Sequence, residues 1–121
     1  MHVLGLCFAG APTDETAAMA AFVEDVLGLH RRPIAGVDGS LFGLPDGSAF
    51  VVAERGSMGS DALTIGFLVD DLDAAITELD AHGISHGGTQ INELSRYVHL
   101  TAPDGRIYEL VQPTMLEASA R

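Results

Sequence analysis

Cysteine is nearly absent. Cys7 is the single one in 121 residues, so neither an internal disulfide nor a cysteine-rich zinc site can form. Such a chain suits a reducing cytoplasm, and cytoplasmic residence is the expectation. Positive charge is scarce too. Six basic residues, all arginine, stand against seventeen acidic ones for a net charge of −11. A surface that negative repels nucleic-acid phosphates and anionic lipid headgroups, which sets both aside as partners. No apolar run approaches the roughly 20 residues of a membrane span. The opening stretch Val3 to Ala11 is apolar and ends in Ala9-Gly10-Ala11. No basic residue precedes it and acidic, helix-patterned sequence follows, so it reads as a strand and not as a secretory leader. No glycine cluster has the strand-to-helix spacing that cradles a phosphate.

Apolar side chains, by contrast, are plentiful. They make up 47% of the chain against 19% charged residues, enough for a packed interior and too much for intrinsic disorder. The length fits one compact domain. Within it a repeat stands out. Pro45-Asp46-Gly47 and Pro103-Asp104-Gly105 each precede an alternating strand pattern and lie 58 residues apart. Proline presets one turn dihedral, aspartate bonds to nearby backbone and glycine permits positive φ, so both are hairpin turns. Two similar units of about half the chain indicate internal duplication.

In the first unit, residues 1–54, Val3 to Phe8 reads as a strand. Thr13 or Asp14 caps the next helix, with Asp14 and Glu15 placing negative charge at its first turn. Met19, Phe22, Val23, Val26 and Leu27 fall on one helical face, and Gly28 ends the helix. Strands follow at Ile34 to Val37, Leu41 to Leu44 and Ser48 to Ala53, the first two joined by an Asp38-Gly39 turn. Residues 55–61, rich in glycine and serine, read as a linker. The second unit, residues 62–113, repeats the order. Leu63 to Val69 is a strand, and Asp70 or Asp71 caps a helix with the stripe Leu72, Ala75, Ile76 and Leu79, ended by Gly83. Strands at Thr89 to Asn92, Arg96 to Thr101 and Arg106 to Val111 complete it, and residues 114–121 form a tail. The fold class is α+β, β-α-β-β-β twice. Each unit is too small to bury a core alone, so the two pack together or against a second chain.

Alternation puts Glu109 with Ile107 and Val111 on one face of the last strand, and Arg106, Tyr108 and Leu110 on the other. A carboxylate inside with Ile107 and Val111 needs a partner or a raised pKa, and can hold a cationic ligand or act as acid or base. His99, on the preceding strand, is placed to face it and tune it. Phe42, Phe50, Phe67, Tyr97 and Tyr108 lie on strands, where a subset can wall a ligand cavity. Cys7 has no basic neighbour in sequence to lower its pKa and reads as a small core residue. His30, His82 and His86 show no ligand spacing and read as surface residues.

Three segments carry a family resemblance. Ala21-Phe22-Val23-Glu24-Asp25-Val26-Leu27-Gly28-Leu29 resembles the helix-end signature of the vicinal oxygen chelate superfamily. Phe67-Leu68-Val69-Asp70-Asp71-Leu72-Asp73-Ala74-Ala75 resembles its second-module strand-to-helix junction, and Pro103 through Pro113 its closing hairpin. Glyoxalases, extradiol dioxygenases, fosfomycin-resistance enzymes and bleomycin-resistance proteins belong there. The resemblance implies two modules forming U-shaped mixed sheets, helices outside, with a metal or ligand on the concave side. It places the usual metal slots on first and last strands. The slot that is usually histidine falls on Thr64, the one that is usually glutamate on Glu109, and the first-module counterpart of Glu109 on Val51. His2 and Cys7 are the only donors in the first strand.

A catalytic divalent ion needs at least three protein donors of the His, carboxylate or thiolate kind, and this set falls short, so no metal or other cofactor is expected. The leading expectation is a metal-independent binding protein of the bleomycin-resistance-like type, a homodimer by that resemblance. It would hold an aromatic or cationic small organic molecule with Glu109, His99, Thr64, Phe42, Phe50, Phe67 and Tyr97. One alternative is a metal-dependent glyoxalase-like lyase or extradiol-dioxygenase-like enzyme, with His2, Cys7 or His99 joining Glu109 on the ion. A further one is a metal-free enzyme using Glu109 and His99 as a proton-transfer pair.

Overall fold

A computed structural model describes residues 1–33, 39–57 and 61–114. The expected strand over 34–37 lies outside them, as do residues 58–60 of the linker and all of the tail after Thr114. The first module comprises β1 (Val3–Thr13), α1 (Thr16–Asp25), β2 (His30–Arg31), β3 (Ser40–Gly43) and β4 (Ala49–Glu54). The second comprises β5 (Thr64–Val69), α2 (Leu72–Ala81), β6 (Gln90–Ile91), β7 (Ser95–Thr101) and β8 (Ile107–Pro113). All eight strands form one open mixed sheet in the order β2-β3-β4-β1-β5-β8-β7-β6. Within each module the first and last strands pair in parallel, β1 with β4 and β5 with β8. The modules join where β1 runs antiparallel to β5.

The two Pro-Asp-Gly turns close alike. Gly47 N–H donates to the Leu44 carbonyl at 3.0 Å and Gly105 N–H to that of Ala102 at 2.8 Å. Asp46 and Asp104 each accept the backbone N–H two residues on, both at 2.9 Å. The glycines sit at φ 90° and 83°, where a side chain would be strained.

Each helix covers its own half of the same sheet face. Val69, Leu72, Ala75, Leu79, Val98 and Leu110 form one buried cluster under α2; Ala20, Val23, Phe42 and Val52 form another under α1. Strand alternation therefore turns Leu41, Val51, Thr64, Gly66, Tyr97, His99, Glu109 and Val111 to the helix-free face, because in-register neighbours share a side. Val51, Thr64 and Val111 are nonetheless buried. A sheet that shelters its own uncovered face is strongly curved.

Three local expectations change. β1 runs on to Thr13, because β4 offers a parallel partner to residues 8–13. Thr13 and Asp14 consequently lie outside α1. The cap position falls on Glu15 with no side-chain cap bond and no acid in the first turn, Thr13 Oγ1 accepts the Glu15 N–H at 3.0 Å, and Asp14 pairs with Arg55. The apolar stripe of α1 is half wasted: Val23 is buried, while Phe22, Val26 and Leu27 are exposed, the last two lying past the helix end. α2 follows the expectation closely. Asp71 Oδ1 accepts the Ala74 N–H at 3.1 Å, Gly83 takes φ 69°, and Ile84 N–H returns to the Leu79 carbonyl at 2.9 Å. No helix among the described residues is long and apolar enough to cross a membrane.

Candidate functional site

Adjacent antiparallel strands place directly opposed side chains on one face within reach of each other. β7 and β8 put His99 opposite Glu109 in this way, on the helix-free side. The ring Nε2 meets Glu109 Oε2 at 2.8 Å, and the carboxylate is only 13% exposed against 30% for the imidazole. The bond to Glu109 raises the His99 pKa above its ordinary value, outweighing the burial that would lower it. The carboxylate thus holds the imidazole more basic than a free one. Tyr97, next on the same face, sets its ring edge-on to His99 at 5.8 Å. The backbone of His99 is supported from outside, where Gly87 N–H donates to its carbonyl at 3.0 Å.

β5 brings the other side of the site. Gly66 is in register with Glu109, and Phe8 of β1 is in register with Gly66. The Phe8 ring lies directly on this glycine: a Cβ there would stand 2.2 Å from Phe8 Cε1. Two residues earlier on the same face, Thr64 is wholly buried and its Oγ1 is the one buried side-chain polar atom among the described residues without a hydrogen-bond partner. Leaving such a hydroxyl unpaired costs about 1–3 kcal/mol. Cys7 is close enough to feel Glu109, whose charge, after burial, pushes the thiol up to about 11; it stays protonated and unreactive at neutral pH.

Glu109, His99, Thr64 and Tyr97 therefore share one face. The aromatic residues expected beside them do not. Phe42 is fully buried under α1 and Phe50 packs against the same cluster. Phe67 packs under α2 and stacks on Tyr108 at 6.1 Å. The reason is register: each is one residue out of phase with the Val51 or Gly66 face, so the strand period sends it to the helices. Phe8, by contrast, belongs to the site although its position in the sequence gives no hint of it. The legible signal was its partner, a glycine in mid-strand, which marks a close approach from another group.

The donors do not suit a divalent ion. His2 is 80% exposed and bound to Asp70 at 3.1 Å, at the far end of β5 from Glu109. Cys7 holds its proton, Val51 offers nothing, and the His99 nitrogen nearest the carboxylate is already bonded to it. No group of three or more His, Cys, Asp or Glu among the described residues could hold a metal. His30 and His82 are exposed, and His86 bonds Asp80 and the Gly87 carbonyl, both at 2.7 Å, away from this face.

No protein-family model and no curated protein sequence matches the chain. Solved structures do. Methylmalonyl-CoA epimerase from Mycobacterium tuberculosis superposes with a TM-score of 0.72 at 20% identity, over 98% of this chain and 93% of that one. The Streptomyces coelicolor epimerase in complex with 2-nitronate-propionyl-CoA gives 0.70 at 17%, over 94% and 100%. A glyoxalase/bleomycin resistance protein/dioxygenase superfamily member from Vibrio splendidus 12B01 gives 0.61 at 14%, over 89% and 98%. At these identities the likeness is one of fold.

Proposed function

We propose, from the premise that the chain carries the vicinal oxygen chelate fold, that it is a metal-independent binding protein for a small organic molecule with a cationic or aromatic group. The observation that carries this reading is the Glu109 carboxylate. It is nearly buried on the uncovered sheet face, and among the described residues its one ion-pair partner is His99 on Oε2. A sheltered carboxylate of this kind attracts a cation far more strongly than a surface one does. The net charge of −11 adds attraction for a cationic guest. It works against an acyl-CoA, whose phosphates are anionic, so the ligand of the Streptomyces coelicolor epimerase is not carried over. The homodimer belongs to this same reading, supported by the exposed apolar side chains Val3, Leu4 and Leu6 on β1. Binding of benzamidine but not benzoate, two flat molecules of similar size and opposite charge, tests the charge preference by calorimetry. Equal binding of both would defeat it.

A second reading rests on the 2.8 Å contact itself. A carboxylate hydrogen-bonded to an imidazole of raised pKa is a proton-transfer pair near neutral pH. Solvent-deuterium exchange into a bound carbon acid, lost in both Glu109→Gln and His99→Asn, would favour catalysis over simple binding.

A further inference from the structure

We propose that Phe8 is an internal stand-in for the guest: its ring occupies, on Gly66, the place where a planar aromatic ring of the ligand lies, and binding exchanges one ring for the other. This rests on the binding function above and specifies the ligand as a flat ring bearing a cationic or hydrogen-bonding group.

Three observations meet at this spot. Gly66 lacks the Cβ that would stand 2.2 Å from Phe8 Cε1 and 2.4 Å from Cδ1, so the Phe8 ring lies in a slot that the missing side chain leaves open on the sheet. The slot is flanked by polar groups with unused bonding capacity. Glu109 is in register with Gly66, and Thr64, two residues along on the same face, buries a hydroxyl that no protein group satisfies. A phenyl ring can fill the slot but answers neither of them, whereas a substituted ring answers both. Finally, Phe8 stands where β1 slips register against β5, between Leu6 and Phe8. It is only partly buried and belongs to neither buried cluster under the helices. A partly buried ring beside a register slip can be displaced without opening either core.

Benzamidine serves as the probe, followed by calorimetry and by NMR of ¹³C-labelled phenylalanine rings. Phe8→Ala binds at least tenfold more tightly than wild type because the competing ring is gone, as apolar cavities left by truncation accept small aromatics. Phe8→Leu, which keeps apolar bulk, falls between them and decides the matter if Phe8→Ala does not fold. Gly66→Ala, which fills the slot, binds at least tenfold more weakly. In wild type the Phe8 ring resonances move on saturation. The exchange is overturned if folded Phe8→Ala and Phe8→Leu gain nothing, or if the Phe8 resonances stay fixed while wild type binds. Glu109→Gln separates the two ideas. Binding that depends on Glu109 while Phe8 stays in place defeats the exchange alone, and binding indifferent to Glu109 with Phe8 displaced defeats the anchor alone. Absence of binding in wild type and Phe8→Ala alike defeats both.

Discussion

The two modules share a turn, a strand order and a helix position, yet they treat the same pair of positions oppositely. In the second module β7 and β8 oppose His99 to Glu109; 58 residues upstream β3 and β4 oppose Leu41 to Val51. The first pair is ionisable and hydrogen-bonded, and the second is apolar. The helices differ in the same direction. α2 is capped by Asp71, and its first N–H is taken by Gln112 Oε1 of β8 at 2.7 Å. α1 has no side-chain cap, and Phe22 on it and Val26 and Leu27 just past its end lie in the open. The two halves of the sheet thus differ: one carries the ionisable pair on a well-anchored frame, and the other lines the same face with apolar side chains and Phe8.

The largest effect that would break this contrast is in the cores. Leu72→Ala, at the fully buried first position of α2, should lower unfolding free energy by about 2–5 kcal/mol, whereas Leu27→Ala beyond α1 should stay within about 0.5 kcal/mol; urea unfolding measures both. Next comes the polar pair. Val51→Glu puts an unpaired carboxylate at a buried position and should cost on the order of 3 kcal/mol, part of which Leu41→His restores by recreating the opposed couple. If Val51→Glu were harmless, the position of Val51 would not be shielded from water as its burial indicates. The caps give a smaller difference. Asp71→Ala should cost about 1 kcal/mol and Glu15→Ala close to nothing, both read from thermal melts.

Much of this was legible in the residues. The Pro-Asp-Gly turns, the stripe of α2 and the face shared by Glu109 and His99 follow from turn chemistry and from periods of 3.6 and 2, which are local. The errors came where partners distant in sequence decide. β1 extends because β4 is available to it, and α1 starts late as a result. Aromatic character and a strand position suggest Phe42, Phe50 and Phe67 as cavity walls, but strand phase relative to Val51 and Gly66 sends them under the helices. The ring of Phe8 on Gly66 depends on the antiparallel join between modules, a register no single segment encodes.

The smallest effect concerns acidity. The native pKa of His99 is raised by its bond to Glu109, so its contribution to stability is complete below an ordinary imidazole pKa of about 6.5 and fades as pH rises through the higher native value. Two-dimensional NMR of the ring should show that elevated midpoint, and Glu109→Gln should bring it back down.

Calorimetric titration with benzamidine across that pH window, in wild type and Glu109→Gln, is the most direct measurement. As His99 loses its proton, Glu109 is freed from its internal counter-charge, so affinity in wild type should climb with pH. Glu109→Gln should bind at least about tenfold more weakly at the alkaline end, the loss of one charge-assisted bond, and show no such climb. Equal affinities with no pH dependence would contradict the account.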